Sequence, residues 1–459
     1  MSLTYPSNIA ADADKPMLPR TAYAPFDEDV ALYYYSRTNL EPGSVLPLEY
    51  SGWRNEVTAW KENCYLHSGL NPAQTYRVKG PDALKLFSDI CVNGLGNFRI
   101  GTLKHAIMCN EAGLVVAHGV LSRVAEDEFV THFLAPWTDY KLKAGRYDAV
   151  GEYINDGFVF QVAGPRSLET LEAAAGECLH DIRFGAHRPS RIGGMDVRIL
   201  RMGMAGNLGY EVHGKMKDVR AIYAAILKAG AAFGIAKLGR AAYQMHHTEA
   251  GFPQLYVHFP APLHEDKGFL DHHGEQARRR LPPDLVGSMG ADMKLRYRNP
   301  IELGWGKTIR FDHEFIGRAA LEREAAQPRR QMVTLEWNSD DIADIYASQF
   351  KPGEHYMPME LAFQHSGGRQ QLHADQVLKD GKMVGVSSGR VYSYANRRMI
   401  SLCSVDTAHS AFGTEVAVLW GSPGTRQKEI RAVVSRFPYL SENRNEKVDV
   451  KTIACAFNR

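Results

Sequence analysis

The stretch MDVRILRMGMAGNLGYEVHG, residues 195–214, decides the reading of the fold. Its two ends have strand character, and its middle is a glycine-rich turn, so the chain goes out and comes back. Directly after it, DVRAIYAAILKAGAAFG (218–234) changes to a helical period, with Val219, Ile222, Ala225, Ile226 and Ala229 on one face. The same alternation recurs upstream. FVFQVAG (158–164) reads as a strand, and PRSLETLEAAAG (165–176) as a helix with Pro165 just before it. TYRVKG (75–80) leads into the helical PDALKLFSDI (81–90). LVVAHGVLSRV (114–124) and EDEFVTHFL (126–134) stand at hairpin distance around a charged turn.

Downstream the texture changes. Residues 251–292 are rich in His, Pro and charge, and read as long connecting loops. From Met332 the short runs MVTLEW, KMVGVSSGRVYS, MISLCSV, TEVAVLWG and IRAVVSRFPY, separated by glycine and polar turns, predict a small antiparallel barrel. The fold class is α+β, with an N-terminal arm over 1–50, an α+β region of two interleaved subdomains over 51–328 and a β-barrel over 329–459.

Composition excludes several classes. The chain has 459 residues, with 54 Lys plus Arg against 52 Asp plus Glu and a formal charge of +2. That balance lacks the surplus of positive charge that a nucleic-acid binder concentrates on its phosphate-facing surface. No basic start leads into an apolar run, and no apolar stretch approaches the ~20 residues that span a bilayer. The six cysteines are scattered, without a CxxC pair, as in a reduced cytoplasmic protein.

Two phosphate-binding motifs fail on spacing. Gly203, Gly206 and Gly209 do not make a GxGxxG, and strands follow them. Gly306, Lys307 and Thr308 end like a P-loop, but Ile301 stands where its first glycine belongs. His264, Glu265, Asp266, Asp271, His272 and His273 have no fixed ligand spacing and read as a solvated loop; no metal is expected. Two local features carry chemistry. If YQMHHTEAG is helical, Tyr243 and His247 share a face and can form a proton-transfer pair, or simply a hydrogen bond at a helix end. Glu211 follows a glycine turn that allows close backbone approach, so its carboxylate can accept two hydrogen bonds from a flat amino-heterocycle; otherwise it is an outward-facing strand residue.

Taken in order, these segments resemble the aminomethyltransferase family, the folate-dependent T-protein of glycine cleavage and its relatives. The resemblance runs from about Arg54 to about Pro438, through VKGPDALKLFSDI, NEAGLVVAHGVLSRVAEDEF, LRMGMAGNLGYEVHG, GIAKLGRAAYQMHHTEAG, NPIELGWGKTIRFDHEFIGRAAL, DGKMVGVSSGRVYSY and GTEVAVLWG. It implies a three-unit folate-binding fold with a C-terminal barrel. Two departures mark the branch. The acidic pair of the T-protein hairpin falls on Ala117 and His118, and the arginine of its pre-catalytic helix falls on Tyr243. Those departures, with LRMGMAG, RFDHEFIGR, YASQF and RAVVSRFPY, look more like the tetrahydrofolate-dependent aromatic O-demethylases. The resemblance implies transfer of a methyl group from an aromatic methyl ether to tetrahydrofolate. Candidate substrates are methoxybenzoates such as syringate, vanillate, 3-O-methylgallate or dicamba. Leu134 stands near the place where vanillate-type enzymes carry a carboxylate-binding arginine, so the aromatic pocket differs here. Aminomethyl transfer, sulfonium demethylation and non-catalytic folate binding are the competing readings.

The chemistry sets the roles. A phenol has a pKa of ~10, so its anion leaves an ether at neutral pH only with help from a hydrogen-bond donor or a proton. Tyr243 is the expected donor to the ether oxygen, with His246 or His247 tuning it or relaying the proton. His118 is expected to donate to a substrate oxygen or carboxylate. Glu211 is expected to hold the amino edge of the pterin beside Tyr210, with Trp305 and Phe252 as apolar walls. The reaction otherwise rests on aligning two flat rings across one methyl group.

Overall fold

The computed structural model describes residues 32–36, 44–71, 73–203, 206–280, 284–361 and 371–458. The expected arm over 1–50 lies mostly outside them; its described part includes an antiparallel pair, Leu32–Ser36 with Ser44–Glu49.

Two sheets make the α+β region. The first has five antiparallel strands in the order Thr102–Cys109, Val115–Ala125, Glu128–His132, Thr75–Lys79 and Val150–Tyr153. The second has six, in the order His187–Ile192, Met195–Leu200, Gly209–Lys215, Gly157–Ala163, Cys64–His67 and Ile235–Leu238, the last pair parallel. The two strands read around the glycine-rich turn pair antiparallel, Leu200 opposite Glu211. Each sheet buries one face under helices. Helix Ala83–Ile90 sends Leu86, Phe87 and Ile90 into a core with Phe129 and Leu121. Helix Val219–Gly230 buries Val219, Ile222, Tyr223 and Ile226 against Phe158, Phe160 and Val212, while Ala225 and Ala229 of the expected stripe are only half-buried.

The tract 251–292 is not all loop. It holds a 3₁₀ turn, Pro262–Glu265, and a helix, Lys267–Arg280, interrupted at Gly274. The Asp266 carboxylate accepts the Phe269 N–H at 2.8 Å, and Phe269 is buried in the core with Leu270 packed against it. Two adjacent apolar residues, Phe269 and Leu270, in a helix otherwise rich in charge and histidine leave no apolar period in the sequence. In this tract His264 pairs with the Tyr297 hydroxyl at 2.9 Å and His272 with Asp139 at 3.0 Å, and one potential ligand atom each of Asp139, His272 and His273 lie within 4.8 Å of one another.

The third unit is the expected barrel. Strands Gln371–Lys379, Lys382–Ser393, Arg398–Asp406, Arg330–Trp337, Lys428–Ser435 and Glu415–Trp420 follow one another, and Val377 opposite Val418 closes the ring. Closure removes the free edges of the sheet. Beyond the barrel the chain returns to the second sheet, where Val450 joins the core of Phe160 and Ile222. Among the described residues no helix is long and apolar enough to cross a membrane.

Candidate active site

Helix Arg240–Glu249 lies against the barrel, and two buried carboxylates hold its ends. At the start, Glu56 accepts the backbone N–H groups of Tyr50, Ser51 and Gly239 at 2.7, 2.9 and 2.6 Å. At the finish, Glu249 accepts the Ser393 hydroxyl from the barrel, and Thr248 donates its hydroxyl to the Gly389 carbonyl at 2.7 Å. A ten-residue helix tied at both ends is a rigid platform for the side chains between.

That platform faces a cavity of about 220 Å³ between the two sheets. His118, Val120 and His132 line it from the first sheet, Glu211 and Val159 from the second, and Arg240, Tyr243 and Gln244 from the helix. Gln254 to Val257 close one side and Trp137 another.

Tyr243 is 3% exposed, and its hydroxyl has no hydrogen-bond partner. Its ring lies flat on His67, with centroids 4.0 Å apart. Gly69 makes room for this stack, since a Cβ at residue 69 would stand 2.6 Å from the His67 ring. Burial pushes the phenol well above its ordinary range, so Tyr243 is a neutral O–H donor.

His247 does not pair with the Tyr243 hydroxyl. The rings meet edge-on at 4.6 Å, and His247 Nδ1–H donates to the Tyr243 backbone carbonyl at 2.8 Å. A carbonyl four residues back is within reach of any helical side chain of this shape, and that local bond wins over the hydroxyl. His246 turns the other way and stacks on Trp60, with centroids 3.8 Å apart and planes 7° from parallel. His118 does line the cavity. Its Nε2 faces the Leu255 N–H at 3.4 Å and its Nδ1 faces His105 Nε2 at 3.1 Å. In the tautomer that satisfies both, the one N–H of His118 is committed to His105. Burial lowers its pKa well below the ordinary value, so the ring is neutral.

Glu211 sits on the cavity face of its strand and is 4% exposed. Its Oε2 pairs with His213 Nε2 at 2.9 Å, while Oε1 has no protein partner. Burial raises the carboxyl to about 7, and burial holds His213 down at about 3, so this contact joins a carboxyl to a neutral imidazole. It is a hydrogen bond rather than an ion pair. Tyr210, the preceding residue, points to the opposite face and lies in the core with Leu168 and Ile199. Trp305 and Phe252 pack on His105 and His118 behind the cavity wall and do not line it.

Several lining or neighbouring groups carry no local sequence signal. Gln161 is directly opposite Glu211 in the strand register; it takes the Tyr65 hydroxyl on its Oε1 at 2.8 Å and leaves its buried Nε2 unpartnered. Arg240 lines the cavity with an unpartnered Nε. Gln74, Gln244 and Gln254 each leave a buried polar atom unsatisfied. Buried polar atoms left open in a folded protein cost free energy unless a ligand meets them. The open carboxylate oxygen of Glu211 beside the open amide of Gln161 presents an acceptor next to a donor. A reduced pterin edge carries the complement, amino and ring N–H donors next to a carbonyl, so the residues present fit that group.

Known proteins agree with this architecture. Residues 35–258 match the family described as GCVT N-terminal domain. The chain is 45% identical over 421 residues to the sesamin methylene transferase of Sinomonas sp. (strain No.22), covering 89% of this chain and 93% of that one. It is 30% identical over 444 residues to the syringate O-demethylase of Sphingobium sp. (strain NBRC 103272 / SYK-6), covering 90% and 93%. The crystal structure of the glycine cleavage system aminomethyltransferase T from Bartonella henselae shares the fold, with a TM-score of 0.66 at 16% identity over 91% of this chain and 96% of that one. With most of the chain aligned at that level of identity to one-carbon transferases, the protein belongs to the aminomethyltransferase family and is a tetrahydrofolate-dependent enzyme of it.

Proposed function

We propose that the enzyme demethylates an aromatic methyl ether, passing the methyl carbon to tetrahydrofolate and releasing a phenol. One observation carries this reading: the Tyr243 hydroxyl is buried and unpartnered, and Tyr243 lines the same cavity as Glu211. Such a hydroxyl is costly unless something accepts from it. An ether oxygen that becomes a phenolate is an acceptor whose demand grows along the reaction.

Bound tetrahydrofolate supplies the ring nitrogen that takes the carbon. The chain does the rest. Glu211 and Gln161 hold and orient the pterin edge. Tyr243 donates its O–H to the ether oxygen. Because burial disfavours tyrosinate, Tyr243 stabilises the departing oxygen by hydrogen bonding and keeps its own proton. Arg240 supplies positive charge at the same wall. His118 and His132, both neutral, shape the wall and add no charge to it. The scattered, unpaired cysteines support a cytoplasmic site of action.

A second reading rests on the 45% relative, which is named for methylene transfer. A methylenedioxy bridge on an aromatic ring would give up its carbon with both C–O bonds broken, leaving a catechol. The test is one panel: tetrahydrofolate with methoxybenzoates, neutral methoxyarenes and methylenedioxyarenes, following the phenol and the folate product. 5-Methyltetrahydrofolate with a mono-phenol supports demethylation. Methylenetetrahydrofolate with a catechol supports the second reading. No product from any aryl ether refutes both.

A further inference from the structure

Four of the six cysteines, Cys64, Cys91, Cys109 and Cys403, are buried, whereas Cys178 is exposed and Cys455 half-buried. These last two are far apart in sequence, yet their Sγ atoms and the Glu172 carboxylate all lie within 4.8 Å of one another. The cause of the approach is Glu172, fully buried on helix Ser167–Ala175. Its Oε1 accepts the backbone N–H of Leu179 at 2.9 Å, and its Oε2 accepts the backbone N–H of Ala456 at 2.9 Å. Each of these amides belongs to the residue directly after one of the two cysteines. A single carboxylate thus fastens two chain segments in register and sets one thiol beside the other.

We propose that Cys178 and Cys455 form an oxidative modification site, at which a peroxide joins them in a disulfide that fastens the C-terminal segment to the body of the enzyme. In the first step the Cys178 sulfur attacks the peroxide O–O bond, giving a sulfenic acid and releasing water or an alcohol. In the second, the Cys455 thiol attacks that sulfur, forming the S–S bond and expelling water. Both thiol protons leave in the released molecules, and the peroxide takes up the two electrons. Cys178 is the first to react because it is the more exposed.

What the bond would fasten is a strap across the strand that carries Glu211. Asn445 donates its Nδ2–H to the Gly209 carbonyl at 3.0 Å. Arg201 reaches the same segment through Asn445 Oδ1 at 3.1 Å and the carbonyls of Asn445 and Val448 at 2.9 and 2.7 Å. Beyond Val448 the segment meets the body of the enzyme again at the Glu172–Ala456 hydrogen bond. A covalent anchor at Cys455 adds a bond that local opening of this segment cannot break.

The full-length enzyme is treated with a small excess of hydrogen peroxide, quenched with an alkylating reagent and mapped by peptide mass spectrometry. A Cys178–Cys455 cross-linked peptide is expected, reversible by dithiothreitol and absent from C178S and from C455S. Trypsin cleavage after Lys447 and Lys451 is expected to slow about tenfold in the oxidised enzyme and to recover on reduction. The wild-type map alone decides the chemistry, whether or not either variant folds. Cys178 found as a sulfinic or sulfonic acid with Cys455 still alkylatable, or a cross-link that forms between two molecules, overturns the proposal. So does protection of both thiols from peroxide by bound zinc in the protein as purified, which would make the trio a metal site instead.

Discussion

The phenol ring of Tyr243 rests on the imidazole of His67, with centroids 4.0 Å apart and planes 11° from parallel. His67 donates Nδ1–H to the Leu238 carbonyl at 2.8 Å, and burial lowers its pKa to about 3. A neutral, anchored ring therefore fixes the height and tilt of the phenol without charging it. Strand Cys64–His67 supplies the imidazole, and helix Arg240–Glu249 supplies the phenol, so the Tyr243 hydroxyl is positioned by two elements from distant parts of the chain.

Tyr243→Phe removes only the oxygen and keeps the stack on His67. Turnover is expected to fall by about 10²–10⁴-fold, the range for loss of a positioned acid or donor. The dissociation constant for tetrahydrofolate, measured by calorimetry, is expected to stay within about twofold. Turnover close to wild type removes Tyr243 from the mechanism.

Glu211 gives a pH signature. Burial raises its folded pKa to about 7, above the ordinary carboxyl value, so the free enzyme holds a proton there below neutrality. A carboxylate accepts the pterin donors better than a carboxylic acid does. Affinity for tetrahydrofolate is expected to rise with pH up to about 7 and flatten above it. The Glu211→Gln enzyme is expected to bind about 10–100-fold more weakly, with that rise gone. Stability runs the other way. A raised folded pKa favours the folded state most below the ordinary carboxyl pKa, and this contribution is lost as pH climbs through about 7. Unfolding curves of the free enzyme across that window check the sign.

His246 separates packing from chemistry. Its stack on Trp60 is buried and turned from the cavity. His246→Ala is expected to cost about 2–4 kcal/mol of stability, as cavity-forming aromatic truncations do. Turnover per folded molecule is expected to change less than twofold. A large kcat loss in a fully folded His246→Ala enzyme would contradict this placement.

Glu56 tests the mounting of the helix. It satisfies three backbone amides, among them that of Gly239, directly before Arg240. Glu56→Gln puts an N–H against at least one of those donors. A loss of about 2–4 kcal/mol is expected in urea unfolding. A lowered kcat is expected alongside it, because Arg240 and Tyr243 ride on the same helix.

The architecture was legible because strand and helix periods are local. The run from Leu114 to Val124 and the five barrel runs each carried enough pattern to name the element, and the resemblance gave their order. The candidate site was legible in part. Glu211 and Tyr243 stood out through what surrounds them in sequence, a glycine turn and a one-turn spacing. Tyr210 was misplaced for a physical reason: adjacent strand residues face opposite sides, so one strand cannot offer both Tyr210 and Glu211 to the same cavity. His67 and Gln161 carry no local mark. Strand pairing brings them next to Glu211, with His67 opposite Gln161 and Gln161 opposite Glu211. His247 had the right spacing, but a backbone carbonyl captured its ring nitrogen first.

The seam between the helix and the barrel has a consequence for how such an enzyme can change. Gly389 has φ of 61°, and a Cβ on it would stand 2.3 Å from the His258 ring, whose Nε2 in turn faces the Thr248 hydroxyl at 3.1 Å. Any larger residue there would push on the end of the very rod that holds the phenol. Changes in the barrel can thereby shift the Tyr243 hydroxyl by fractions of an ångström without touching a single cavity-lining side chain. Swapping barrels between relatives is thus a way to retune which ether fits, and an incompatible seam is where such a chimera would fail first.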